Sequence, residues 1–231
     1  MSIPSFLSLP FRFVAALFNA VIIYLPGGFG VRLRRFYYQS KFKKCGKNLI
    51  IDVGVTIESP HLISVGDNVH FDKYCIIATS ETLLGNIKSK RNISYQRQDG
   101  EIHIGNNIHF SQFCILMGHG GLSISNNVVL SAECKLYSLT NTAYDIEDKE
   151  KIVSLMPYSQ ANFLKGAIVL GENVWLGLGT VVMPGVTVEK NSFSVTNSVL
   201  ISSFLENSYI AGNPAKSIRK RFIATQDITR K

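Results

Sequence analysis

The stretch Leu170-Gly-Glu-Asn-Val-Trp-Leu-Gly-Leu-Gly-Thr-Val-Val-Met-Pro-Gly-Val-Thr-Val188 decides the fold of this 231-residue chain. An aliphatic residue, here called a leader, returns in it at every sixth position, and the repeat continues to Leu200. A smaller residue, such as Val174 or Thr180, follows four places after most leaders. Neither the period of 2 of a strand nor the period of 3.6 of a helix sustains a six-residue repeat. The repeat therefore predicts a parallel β-helix, in which each hexad forms one side of a triangular coil.

The same repeat can be followed upstream through most of the chain. Its leaders there are Ile51, Ile57, Val65, Phe71, Ile77, Ile104, Phe110, Leu116, Ile124, Leu130 and Leu136. Glycine follows several leaders, and we expect it there because a corner needs an unusual backbone angle. These glycines are Gly66, Gly105, Gly171 and Gly177. Pairs such as Asp67-Asn68 mark turns for the same reason. We predict a mainly β protein whose coil spans residues 45–221, followed by a tail over 222–231.

The repeat is interrupted at one kind of position. Relative to the six-residue period, 2, 21, 2 and 28 extra residues follow Ile57, Ile77, Leu116 and Leu136. Each insertion comes after the third hexad of a coil, so all four are expected on a single edge of the prism. The two long loops span residues 79–101 and 140–167. Loops gathered on one edge of a rigid scaffold indicate a binding site.

Composition limits the class of protein and its compartment. The chain is 46% apolar and 17% charged, which is typical of a globular protein. Its net charge of +8 favours anionic partners, but no nucleic-acid-binding motif is present and nucleic acid is not expected. Cys75, Cys114 and Cys134 fall in the small inward positions of hexads, which predicts buried, reduced thiols in a cytoplasmic protein. No cysteine pair has the spacing of zinc ligands, and no metal is expected.

The N-terminal segment, residues 1–44, does not follow the repeat. Residues 13–26 are apolar but shorter than the roughly 20 residues that a membrane span needs. They also lack the basic region and cleavage site of a signal peptide. Basic residues interleaved with aromatic ones follow as far as Lys47. Two compatible interpretations remain: a helical cap over the open end of the coil, and peripheral contact with the inner face of an anionic membrane.

Three motifs in the last third of the chain carry a resemblance to a known family. They are Leu170-Gly-Glu-Asn-Val-Trp-Leu-Gly-Leu-Gly179, Val182-Met-Pro-Gly-Val-Thr-Val188 and Ala211-Gly-Asn-Pro-Ala-Lys216. With the repeat, they resemble the hexapeptide-repeat acyltransferases, in particular maltose and galactoside O-acetyltransferases and their relatives in surface-polysaccharide biosynthesis. The resemblance covers roughly residues 49–221. It implies a left-handed parallel β-helix, a homotrimer, and acetyl-CoA in a groove between neighbouring subunits.

The resemblance also implies which residues contact acetyl-CoA. The matching positions are Gly177, Leu178, Thr196, Ile201, Lys216 and Arg219. The two cations among them would pair with the phosphates of the donor. A solvated basic tail is the alternative for these cations.

The family uses a histidine, placed just after the hexad before the long loop, as the base that deprotonates the sugar hydroxyl. Here Leu136-Tyr-Ser-Leu-Thr-Asn141 puts Asn141 at that position, and an amide has no useful basicity near neutral pH. No histidine follows His119 in the chain. His119, in the turn Met117-Gly-His-Gly-Gly121 one coil earlier on the same edge, is therefore the predicted base, and Asn141 is kept with it as a predicted residue of the catalytic site. The amides of this turn are expected to stabilise the oxyanion.

Other titratable residues are weaker candidates. The carboxylates of Asp145, Glu147 and Asp148 in the second long loop are alternatives to His119, and His61 reaches the same edge. The remaining histidines, His70, His103 and His109, are expected to face solvent or to pack without a specific partner.

Together these observations predict an acetyl-CoA-dependent O-acetyltransferase. Its acceptor would be a sugar of a capsule, a lipopolysaccharide or a lipid-linked oligosaccharide. Two alternatives remain: a non-catalytic trimeric scaffold that binds sugar, and N-acylation of an amino-sugar nucleotide, where an amine acceptor relaxes the need for a base.

Overall fold

The computed structural model describes residues 8–83, 85–142 and 162–222, with side chains from Phe13 onward. The predicted alternatives Asp145, Glu147 and Asp148 and nearly all of the C-terminal tail lie outside the described residues. Short strands wind into a triangular prism with three parallel sheets, here called A, B and C in the order in which the chain visits them. The predicted mainly β, parallel coil is confirmed.

Each sheet is built from one strand per coil, except that sheet B ends in one additional antiparallel strand. Sheet A contains β1 (Lys44–Cys45), β4 (Ile63–Val65), β8 (Ile102–Ile104), β11 (Leu122–Ile124), β16 (Ile168–Leu170) and β19 (Thr187–Val188). Sheet B contains β2 (Ile50–Ile51), β5 (Val69–Phe71), β9 (Ile108–Phe110), β12 (Val129–Leu130), β17 (Trp175–Leu176), β20 (Phe193–Ser194), β22 (Ser208–Gly212) and β23 (Ala215–Lys220). Sheet C contains β3 (Thr56–Ile57), β6 (Ile76–Ala78), β10 (Ile115–Met117), β13 (Lys135–Tyr137), β18 (Val181–Val182) and β21 (Val199–Leu200).

The leaders form the core of the prism. All of them are buried except Ile57, which is partly buried. Neighbouring coils pair in register, so Phe71 lies directly below Phe110 and their rings stack with centroids 4.9 Å apart. Cys75, Cys114 and Cys134 are buried free thiols, as predicted. The six-residue repeat therefore builds the core by stacking equivalent side chains of successive coils.

The glycines after the leaders serve a different purpose from the predicted one. None of the four has a positive φ; a Cβ on Gly66 would instead lie 2.5 Å from the carbonyl oxygen of Gly105 in the next coil. The left-handed residue of the corner is the asparagine, with φ of 56° at Asn68 and 57° at Asn107. The Asn68 side-chain amide donates to Oδ1 of Asn107 at 2.8 Å. The expectation of an unusual backbone at these glycines was wrong, because close approach of the coils requires them.

All four interruptions of the repeat lie where sheet C passes to sheet A, on what we call the C–A edge. A 3-10 turn, Pro60–Leu62, occupies the first one. The two long loops form a sheet of their own from β7 (Asn86–Ser89), β14 (Leu139–Asn141) and β15 (Asn162–Lys165). Strand β15 pairs with β14 in antiparallel and with β7 in parallel orientation. The single edge was predicted, whereas this additional sheet was not.

Two helices, α1 (Ser8–Tyr24) and α2 (Gly27–Gln39), pack against the first coil. The buried guanidinium of Arg34 joins them to it: Nε donates to the Ile51 carbonyl at 2.8 Å, and Nη1 donates to the carbonyls of Leu25 at 2.8 Å and Ile22 at 3.2 Å. Burial lowers the pKa of Arg34. These contacts support the cap interpretation. Neither described helix is long and apolar enough to cross a membrane.

Replacing Arg34 tests the cap. We expect Arg34→Met to lower the free energy of unfolding by about 3 kcal/mol, because several buried carbonyls lose a charged donor. Arg32→Met, at an exposed position of the same helix, is the matched control and should change it by less than about 0.5 kcal/mol. Urea denaturation with limited proteolysis of the N-terminal segment measures both. Equal stability of the two variants would show that Arg34 does not hold the cap.

Candidate active site on the C–A edge

His119 lies in the short insertion between β10 and β11. The N–H of Gly121 donates to the Gly118 carbonyl at 2.7 Å, which closes a tight turn around the histidine. The coil above supports this turn through Ser138: its Oγ accepts from the Gly120 N–H at 2.8 Å and donates to the Met117 carbonyl at 2.6 Å. Two adjacent coils therefore fix the backbone that carries His119.

The imidazole of His119 is suited to accept a proton at neutral pH. The side chain is half-buried, and its buried Nδ1 has no hydrogen-bond partner among the described residues. Burial lowers the pKa of His119 below its ordinary value of 6.5, and the charge of Glu58, two coils below on the same edge, partly offsets this. The ring is therefore neutral near pH 7, as a general base must be.

Three amides of this turn are not available for the expected oxyanion site. The Gly121 N–H donates within the turn, the Gly120 N–H donates to Ser138, and the Gly118 N–H donates to the Ala78 carbonyl at 2.7 Å. The expectation was therefore wrong for these three groups, because each already donates to the turn or to a neighbouring coil.

A cleft of about 410 Å³ lies beside the His119 turn, between the two inserted loops. Its lining includes four cations, Lys90, Arg91, Arg97 and Lys165, together with Asn92, Tyr95, Asp99 and Gly120. Asp99 pairs with Lys165, their Oδ2 and Nζ atoms lying 2.7 Å apart. In the described parts of the chain, no carboxylate pairs with the other three cations. The cleft is therefore suited to an anionic group such as a phosphate.

The first inserted loop is anchored onto the same turn. The Tyr95 hydroxyl lies 2.9 Å from the Gln98 carbonyl and 2.8 Å from the Glu101 carbonyl, either of which accepts its proton. Its ring covers Gly121, whose φ is 96° and where a Cβ would come within 2.4 Å of that ring. Asn92 Nδ2 donates to the Ala167 carbonyl at 2.9 Å. A binding site on this edge was predicted from the two loops, but the cations between Lys88 and Arg97, which line it, were not singled out.

Asn141 ends β14 at the point where the chain leaves the prism for the second long loop. It is exposed and lies opposite Phe163 of β15. Asn141 and His119 thus belong to the same edge in neighbouring coils. A catalytic part for Asn141 stays a prediction.

One histidine predicted to lack a partner has one: His70 Nε2 lies 3.0 Å from Asp52 Oδ2. His109 Nε2 lies 3.7 Å from Asp72 Oδ2, beyond hydrogen-bond distance, and has no hydrogen-bond partner among the described residues. One ligand atom each of Asp52, His70 and Asp72 lies within 4.8 Å of the others. His70 and Asp72 lie two residues apart in one coil and Asp52 lies in the coil before, so no short sequence spacing reveals the complete cluster. It lies on sheet B, away from the C–A edge. His61, which does reach that edge, has Nε2 3.6 Å from Glu81 Oε1.

Three of the predicted donor-binding residues lie together on another edge, where sheet B passes to sheet C. Gly177 and Leu178 follow β17, and Thr196 follows β20 in the next coil. The Asn197 N–H donates to the Leu178 carbonyl at 2.7 Å, which holds the two corners side by side. Leu178 and Thr196 are exposed. Within one subunit this B–C edge is separate from the edge that carries His119.

The other three predicted donor contacts are spread more widely. Ile201 is exposed on the C–A edge, directly after β21. Lys216 and Arg219 lie on β23, which pairs in antiparallel orientation with β22 at the C-terminal end of sheet B. The guanidinium of Arg219 lies 3.8 Å above the ring of Tyr209.

Comparison with known proteins identifies the fold. No protein-family model matches the chain. A variant of AntD, an N-acyltransferase from Bacillus cereus solved with dTDP and coenzyme A, superposes with a TM-score of 0.64. The two are 20% identical, and the match covers 82% of this chain and 89% of AntD. The fold is thus the left-handed parallel β-helix.

The curated proteins that this chain resembles include acyltransferases. A dTDP-4-amino-4,6-dideoxy-D-glucose acyltransferase from Escherichia coli is 26% identical over 180 residues, 78% of this chain and 83% of that protein. The putative lipopolysaccharide biosynthesis O-acetyl transferase WbbJ of Escherichia coli K12 is 38% identical over 65 residues, 28% of this chain and 33% of WbbJ. The resemblance to hexapeptide-repeat acyltransferases is confirmed. The chain spans about a third or less of the length of several acetyltransferases that it matches, WbbJ included.

Removing the Ser138 hydroxyl tests how the His119 turn is held. We expect Ser138→Ala to lower the free energy of unfolding by about 1–3 kcal/mol, because the buried Gly120 N–H loses its acceptor. Ser123→Ala, on the outer face of β11, is the control and should have little effect. Urea denaturation compares them. A Ser138 variant as stable as the control would contradict this account of the turn.

Proposed function

We propose that this protein transfers an acetyl group from acetyl-CoA to a sugar hydroxyl during the biosynthesis of a surface polysaccharide, either a capsule or a lipopolysaccharide. The observation that carries the proposal is the half-buried His119, whose lowered pKa keeps it neutral, on the edge where both inserted loops form a basic cleft. The similarity to acyltransferases, one of them named for lipopolysaccharide biosynthesis, supports it.

The proposed chemistry needs one proton acceptor. His119 takes the proton of the sugar hydroxyl while its oxygen attacks the thioester carbonyl carbon. The carbon–sulfur bond of the resulting tetrahedral intermediate then breaks, and the coenzyme leaves as a thiol after taking that proton back from the imidazolium. Lys90, Arg91 and Arg97 hold an anionic group on the sugar portion of the acceptor in the cleft. Such positioning lowers the barrier by removing the entropy of bringing the reactants together.

We infer that a complete site needs two neighbouring subunits of a homotrimer. Gly177, Leu178 and Thr196, the proposed donor contacts, lie on the B–C edge, whereas His119 lies on the C–A edge. In a ring of three identical subunits, one edge of each faces a different edge of the next. The B–C edge of one subunit would then bring acetyl-CoA to His119 of its neighbour.

The N-terminal helices suit a cytoplasmic protein bound peripherally to the inner face of a membrane. Helix α1 exposes a strip of apolar side chains, of which Phe13 is 70% and Leu17 57% exposed. Helix α2 exposes the cation of Arg32, and the chain carries a net charge of +8. An apolar strip beside cations is how peripheral proteins bind anionic lipid. We propose a lipid-linked sugar as the acceptor for this reason.

A second candidate is N-acylation of an amino-sugar nucleotide. Two observations favour it: Asn141 stands where the family's base is expected, and the relative from Escherichia coli with 83% of its length matched acts on an amino sugar by its name. A neutral amine is more nucleophilic than a hydroxyl and needs less help from a base. The cations of the cleft would then hold the nucleotide diphosphate.

Replacing His119 separates these functions. With hydroxyl acceptors, we expect His119→Ala to lower kcat/KM by about 100-fold or more, because the base is lost. His61→Ala, an exposed histidine on the same edge, is the control and should keep full activity. Transfer from acetyl-CoA to candidate glycans measures both. The acid limb of the wild-type pH profile should show an apparent pKa below 6.5, because burial favours the neutral ring.

Two results would change the proposal. Unchanged transfer to hydroxyl acceptors in His119→Ala would exclude His119 as the base. If His119→Ala lowers the rate of transfer to amino-sugar nucleotides by less than about tenfold, the second candidate is favoured. A higher rate of acetyl transfer in Asn141→His than in the wild type would show that Asn141 occupies the position of the family's base.

A further inference from the structure

A second groove, of about 380 Å³, lies between the N-terminal helices and the first coil. Its apolar walls are Ile22 and Ile23 of α1, Tyr37 and Tyr38 of α2, and Ile57 of β3. Its volume falls within the range of small-molecule sites, and its walls are mostly apolar, as such sites require.

The rim of this groove is polar and carries one cation, Lys41, and one exposed carboxylate, Glu58. Lys41 Nζ donates to the Tyr37 hydroxyl at 2.7 Å, and that hydroxyl donates to Asn19 Oδ1 at 3.1 Å. Nζ also lies 3.9 Å from the centre of the Tyr37 ring. Within the described residues, no carboxylate lies within ion-pair distance of Lys41. An ammonium at the mouth of an apolar groove is complementary to a ligand that joins a hydrocarbon body to an anionic group.

The groove is continuous with the exposed apolar strip of α1. Phe18, which is 52% exposed, packs edge-on against Tyr37 with ring centroids 6.0 Å apart. A lipid chain leaving a bilayer along Leu17 and Phe18 would therefore meet the groove directly. At the C–A edge the groove is lined by Glu58, the residue whose charge acts on His119. Glu58 stands two coils below His119, which is about 10 Å at the strand spacing of a sheet.

We propose that this groove binds the lipid phosphate of a lipid-linked acceptor. The hydrocarbon chain lies against Ile22, Ile23 and Ile57, the phosphate contacts Lys41, and the attached sugar extends along the C–A edge toward His119. This inference rests on the proposed function, because it takes His119 to mark the site of transfer. It deepens that function by stating which part of the protein selects a lipid-linked acceptor over a free sugar.

Binding of monomeric farnesyl phosphate to the full-length protein tests the groove without any donor or turnover. We expect isothermal titration calorimetry to show binding that weakens at least about tenfold in Lys41→Gln, which loses a charge-assisted contact. Ile23→Gln, which makes a wall polar, should weaken the binding of farnesyl phosphate and of farnesol alike. Lys73→Gln, an exposed lysine on the B–C edge, is the control and should bind as the wild type does.

The other arms distinguish competing explanations. Inorganic phosphate that competes as strongly as farnesyl phosphate would overturn the proposal, since a simple phosphate site would explain the data. Binding to anionic vesicles without binding to monomeric farnesyl phosphate would also overturn it, in favour of surface attachment alone. Unchanged affinity in both Lys41→Gln and Ile23→Gln would do the same. His119→Ala should retain farnesyl phosphate binding, so a failure of the groove is distinguishable from a failure of the proposed chemistry.

Discussion

The in-register stacking of equivalent side chains in successive coils is the constraint on which this structure depends. At the strand spacing of a sheet, about 4.8 Å, each inward residue contacts the residue at the same position above and below it. Phe71 stacks on Phe110 in the core, and the amide of Asn68 bonds that of Asn107 at the corner. A residue inserted inside a hexad would break every such contact in its coil. Insertions are therefore confined to corners, and here they accumulate on the C–A edge.

This constraint explains which parts of the fold could be predicted from the sequence. The leaders, the buried cysteines and the single edge of insertions follow from the six-residue period, which is visible in a short stretch of a few successive hexads. The sheet of β7, β14 and β15 pairs segments that are far apart in the chain, and no periodic pattern in the sequence predicts it. The packing of the Tyr95 ring over Gly121 also joins residues that are distant in the sequence. The reason for glycine at position 66 could not be predicted, because the sequence of one hexad does not show how closely the next coil approaches it.

Some features of the candidate site could likewise be predicted from the sequence, and others depend on contacts between coils. The position of His119 on the C–A edge follows from counting hexads, but its burial and its lowered pKa depend on neighbouring coils. The amides of Gly118, Gly120 and Gly121 already donate to the turn or to neighbouring coils, which the spacing of the hexads does not reveal. The same counting places Thr196 and its neighbours after sheet B, on an edge separate from His119. This separation agrees with the groove between neighbouring subunits that the family resemblance implies, and it supports a site shared between subunits.

Mixed trimers test this central claim most directly. His119→Ala removes the proposed base, and Thr196→Trp blocks the proposed donor groove, so each homotrimer should be inactive. Trimers that contain both kinds of subunit, purified through two different tags and verified by native mass spectrometry, should regain about one third of wild-type activity, because one of the three interfaces joins two intact edges. Mixed trimers as inactive as their parents would contradict the account, since each subunit would then complete its own site.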